Sequence, residues 1–61
     1  MKLKIFITCD NAAFKEDPAA QVRIILQSLC NDLASNTLEE VAESSLYDLN
    51  GNRVGRVEVS E

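Results

Sequence analysis

"SLYDLNGNRVGRVEV", residues 45–59, decides the fold. Two strand-like runs flank Asn50-Gly51, the favoured pair for the type I′ turn of a two-residue β-hairpin. Such a turn predicts Leu49 opposite Asn52, Asp48 opposite Arg53, Tyr47 opposite Val54 and Leu46 opposite Gly55. Side chains alternate along a strand, so Leu46, Val57 and Val59 fall on one face. Asp48 and Arg53 are placed to pair across the strands, and Tyr47, Val54, Arg56 and Glu58 fall on the other face.

Upstream, "PAAQVRIILQSLCNDLAS" sets Val22, Ile25, Leu26, Leu29, Cys30 and Leu33 on one stripe at helical spacing. Asp17 suits the capping position and Pro18 the first helical position, which has no partner for an N–H. An amphipathic helix of about five turns follows. Ile24 lies opposite the stripe, as a lone exposed aliphatic or as a contact with a second chain. Thr37 and Glu40 have capping-box spacing, which marks a helical turn or loop within "TLEEVAESS".

At the N-terminus "KLKIFIT" alternates as a half-buried strand, with Leu3, Ile5 and Ile7 on one side and Lys2, Lys4, Phe6 and Thr8 on the other. The whole reads β-α-β-β: a single α+β domain over residues 1–61, with one amphipathic helix packed on a three-stranded, mainly antiparallel sheet. The last strand is expected between the other two. Leu3, Ile5 and Ile7 are expected beneath the helix stripe with Leu46, Val57 and Val59.

"CDNAAFKEDP", residues 9–18, joins strand to helix. It reads as a ramp, with Asp10 or Asn11 turning the chain and Phe14 folding back on the core edge. The sharper alternative makes Phe14 an exposed anchor for a partner beside an acidic rim.

A chain of 61 residues buries only about 60% of the surface its unfolded form exposes, so its core is thin. Domains of this size commonly draw on disulfides, metal or oligomerisation. No histidine is present, and Cys9 and Cys30 lack metal-ligand spacing, so no metal or other cofactor is expected. "IFI" is too short for a secretory core or a membrane span, which makes a cytoplasmic, reduced chain the expectation, with both thiols behaving as small buried hydrophobes. Oligomerisation is the remaining aid, a homodimer first.

Catalysis finds little support in the residue types. No histidine can activate a thiol, and the carboxylates Asp10, Glu16 and Asp17 match no EF-hand and read as a solvated loop. The chain is read as non-enzymatic.

One helix covers one sheet face, so the other stays open unless a partner closes it. That face is read as Lys2, Lys4, Phe6, Tyr47, Leu49, Val54, Arg56 and Glu58. It suits self-association, or capture of a protein with Phe6 and Tyr47 as anchors. It also suits single-stranded nucleic acid, stacked on the aromatics and held by Lys2, Lys4 and Arg56. The formal charge of −4 weighs against a dedicated duplex-DNA binder. The residues singled out for partner binding are Lys4, Phe6, Phe14, Ile24, Tyr47, Val54 and Arg56.

The pairing of "TCDNAAFKEDP" with "YDLNGNRVG" resembles short, mostly uncharacterised proteins encoded by phages and prophages. These share a T-x-D-N-A-A-F opening, an amphipathic helix and a D-x-N-G-N-x-V-G close. The resemblance implies a context: small acidic phage-type proteins that bind one host protein and block it, as anti-CRISPR and other anti-defence or host-takeover proteins do. Inhibition of a bacterial host or defence protein by steric blocking is the function expected. Imitation of DNA by Asp10, Glu16, Asp17, Glu39, Glu40 and Glu43 is a variant of it, and a small single-stranded nucleic-acid binder is the alternative.

Overall fold

The structure is a computed structural model that describes every residue, Met1–Glu61. Strand β1 (Lys2–Ile7) leads through a 3-10 turn (Ala12–Phe14) into helix α1 (Pro18–Ser35). A short helix α2 (Leu38–Val41) then precedes strands β2 (Ser45–Tyr47) and β3 (Arg53–Ser60). The sheet order is β1-β3-β2 and both pairings are antiparallel, so the last strand is central, as expected.

Local chemistry sets each boundary. Asp17 accepts a hydrogen bond from the Ala20 N–H at 3.1 Å, and Pro18 opens the first turn of α1. Thr37 and Glu40 close a reciprocal capping box around α2, so the segment expected as a helical turn or loop is a short helix with Val41 buried. Glu43 adopts a left-handed conformation, φ 65°. It returns the chain to β3, where the Glu43 N–H donates to the Val57 carbonyl and the Val57 N–H to that of Ser44. The core comprises Phe14, Ile25, Leu29, Leu46, Val54 and Val57, with Ile7, Ala13 and Val22 packed at its margin.

The hairpin departs from the expected geometry twice. Gly51 has φ +82°, while Asn50 has no positive φ, which excludes a type I′ turn. The Gly51 N–H donates to the Asp48 carbonyl and the Asp48 N–H to that of Asn52, so Leu49, Asn50 and Gly51 form a three-residue loop. The cause is the Asp48 carboxylate. It accepts from the backbone N–H groups of Asn50 and Asn52 at 2.9 Å each, and from the side-chain amides of Asn52 and Asn11. Asp48 is buried and makes no pair with Arg53.

The second departure is a bulge. Leu46 pairs with Gly55 as expected, but Tyr47 pairs with Arg53, which leaves Val54 as the extra residue. Val54 turns into the core at 8% exposure instead of standing on the open face. Gly55 permits this course: a Cβ there would lie 1.8 Å from the Phe6 carbonyl oxygen, so only glycine lets β3 pass so close to β1.

The helix covers less of the sheet than its stripe suggests. Ile25, Ser28 and Asp32 share a crevice with Ser45, Leu46 and Tyr47, so α1 leans over the β2 side. Leu3 and Ile5 therefore remain 47% and 39% exposed, and Leu33 and Cys30 are exposed on the opposite flank of the helix. Both cysteines are free and exposed, contrary to the expectation that they are small core residues. Cys9 lies in the loop after β1, and Cys30 lies beyond the arc of the helix that meets the sheet. No helix is long and apolar enough to cross a membrane.

Candidate interaction face

The β1–β3 register places Lys2 opposite Ser60, Lys4 opposite Glu58 and Phe6 opposite Arg56, all on the face away from α1. Ser45 pairs with the other side of Arg56, and Tyr47 with Arg53, which extends the same face across β2. Lys4, Phe6, Tyr47 and Arg56 are thus brought together as the sequence suggests, and Lys2 joins them.

Three of the other positions lie elsewhere. Phe14 is 1% exposed and fills the core, so it is no exposed anchor. Its position follows from Asn11, which caps the 3-10 turn by accepting from the Ala13 N–H while its amide donates to Asp48. Val54 is removed from the face by the bulge. Ile24 is exposed on α1, remote from the open sheet face.

Sequence reasoning missed Arg53. It stood as the partner of Asp48, yet it lies opposite Tyr47 on the open face. The signal was Gly55, whose lack of a side chain marks a bulge in an otherwise well-formed strand.

The resulting chemistry is cationic and aromatic. Four of the six basic residues, Lys2, Lys4, Arg53 and Arg56, lie in the strands, and Glu58 is the one carboxylate there. Phe6 is 41% and Tyr47 56% exposed. The Arg56 guanidinium sits 4.5 Å from the Phe6 ring centroid, a contact worth about 0.5–1 kcal/mol at an exposed site. Its Nε lies 3.5 Å from Glu58 Oε1. An exposed pair of this kind contributes little to stability and serves mainly to hold the guanidinium over the ring.

The remaining acidic groups shape the scaffold. Burial pushes the Asp48 carboxyl up, and the hydrogen bonds from Asn52, Asn11 and Asn50 outweigh it, so its pKa lies below the usual carboxylate range. The Thr37 backbone N–H and hydroxyl lower that of Glu40. Asp10, Glu16 and Asp17 are exposed and gather no metal-ligating group of three or more. The chain matches no protein-family model, no curated protein and no solved structure.

Proposed function

We propose that the chain is a non-enzymatic binding module of the phage inhibitor type, which docks its open sheet face on a bacterial host or defence protein in the cytoplasm and blocks it sterically. The observation that carries this reading is the segregation of charge and aromatics. A chain with a formal charge of −4 gathers four cations, two half-exposed aromatics and a single carboxylate on one uncovered face. Tyr and Arg are the residues most often found as energetic anchors of interfaces. With Val54 withdrawn into the core, the face suits an acidic partner surface with a pocket for Tyr47 better than a purely apolar one. The likeness of the opening and close to short phage-encoded proteins supplies the host context.

A second reading has its own support. Cations beside aromatics on a sheet face also suit single-stranded nucleic acid, whose phosphates and bases would use the same side chains. Affinity capture from a bacterial lysate, with and without nuclease, separates the two. The inhibitor reading expects one host protein retained in both samples by the native chain and lost with a Tyr47→Ala, Arg56→Ala double variant. Retention that vanishes with nuclease and falls steeply with salt would replace it with the nucleic-acid reading.

A further inference from the structure

Exposed aliphatic side chains also lie on the side the open face does not use. Leu3 pairs with Val59 and Ile5 with Val57, and Val57 is fully buried under the helices, so Leu3 and Ile5 point to the helical side of the sheet. They are nevertheless exposed. The flank of α1 carrying Ile25, Ser28 and Asp32 faces β2, so the flank carrying Leu26, Cys30 and Leu33 is turned toward the β1 side of the sheet. Val22, Leu26 and Cys30 border an open groove of about 600 Å³ on that flank. Pro18, Ala19, Arg23 and Gln27 complete its lining, so the groove belongs to α1 alone, and Leu3 and Ile5 form a separate apolar strip on β1.

The edge of the sheet beside that strip is itself unpaired, because β1 is an outer strand. The Thr8 N–H points inward to the Val54 carbonyl, so by alternation the backbone groups of Leu3, Ile5 and Ile7 point outward. An unprotected edge of this kind is a template for another strand.

We propose that a second copy of this chain docks there, pairing β1 with β1 antiparallel about Ile5. Pairing Ile5 with Ile5 satisfies the outward N–H and C=O groups of both strands. It also sets Lys4 beside Phe6 of the second copy; the neighbouring register, Leu3 with Ile5, would set Lys4 against Lys4. Leu3, Ile5 and Ile7 of each copy then lie beside those of the other across the two-fold axis, as an isologous interface requires.

The exposed area supports this occupant. A folded monomer of this size exposes about 3,900 Å², whereas this chain exposes 4364 Å². Its radius of gyration is 11.8 Å against about 10.5 Å for a compact chain of its length. The surplus, roughly 450 Å², is more than half of the roughly 800 Å² that each partner covers in a standard interface. The open faces of the two copies remain free and merge into one six-stranded surface, so the inference goes beyond the proposed function and stands whichever macromolecule that face binds.

Sedimentation velocity on the full chain tests it. The native protein should run at twice the chain mass at rising concentration, with slowed amide exchange at Leu3, Ile5 and Ile7. Ile5→Lys should run as a folded monomer, because Ile5 lies outside the core cluster. Leu3→Lys, on the same exposed strip of β1, provides the same readout if Ile5→Lys fails to fold. Tyr47→Ala should remain dimeric. A native chain of single mass at all concentrations would overturn the inference. So would a dimer that survives whichever β1 variant folds, or one lost with Tyr47→Ala alone.

Discussion

The hairpin end of the molecule and the free half of β1 are built on opposite terms. At the hairpin end Asp48 is buried under four donated hydrogen bonds, Phe14 is sealed beside it, and two glycines occupy positions that no other residue fits without strain or collision. Along β1 the aliphatic side chains are half bare and the outward backbone groups are free. The same thin core serves both, so structure is concentrated where the two sequence motifs meet and surface is left for partners elsewhere. The two sequence motifs are thereby given a physical meaning: Asn11 of the first donates to Asp48 of the second, 37 residues away. They encode a lock, and the residues proposed to bind lie mostly outside it.

The largest effect should come from breaking the lock at its apolar member. Phe14→Ala removes a fully buried ring, a change that costs about 3–5 kcal/mol. A core of this size seldom supplies more than about 3–5 kcal/mol in all. The variant should be largely unfolded by circular dichroism at room temperature; a native spectrum with an unchanged melting temperature would show that Phe14 does not close the core.

The polar member should show itself through pH. A carboxyl with a depressed folded-state pKa contributes stability that is fully present above its unfolded-state pKa and is lost as pH falls through the lower folded-state value. Asp48 and Glu40 both behave in this sense. Acid titration of the melting temperature should therefore show a loss of stability below the usual carboxylate range. Asp48→Asn should lower the melting temperature at neutral pH and flatten that loss, because an amide group cannot accept all four hydrogen bonds. An equally steep acid transition in the variant would place the dependence elsewhere.

The smallest structural effect belongs to the open face. Tyr47→Ala should change stability by no more than about 0.5 kcal/mol, since exposed positions away from caps and cores rarely do more. The same substitution should weaken partner binding by more than about 1 kcal/mol. A large stability loss with intact binding would reverse the assignment of scaffold and surface.

Much of this architecture is legible in the sequence, and the limits have identifiable causes. The apolar stripe of α1, the Asp17-Pro18 start and the alternation of β1 are local signals, and each element formed where they place it. Asn50-Gly51 located the hairpin but not its turn type. The type depends on where the Asp48 carboxylate finds donors, and one of those donors lies on a distant loop. From that single difference follow the loss of the Asp48–Arg53 pair and the arrival of Arg53 on the open face. With the bulge at Val54 it also made the face more cationic than periodicity alone suggests. The exposure of Leu3, Ile5 and Cys30 was hidden for another reason: a stripe reveals which side of a helix is apolar, not how far across a sheet the helix leans.

Chemical-shift mapping on the isotopically labelled chain, titrated with the partner retained in the capture experiment, tests the central claim most directly. The account predicts that the largest shifts fall on Lys4, Phe6, Tyr47, Arg53 and Arg56, with Asp48 and Phe14 little changed. Shifts centred on Ile24 and the outer side of α1 would contradict it.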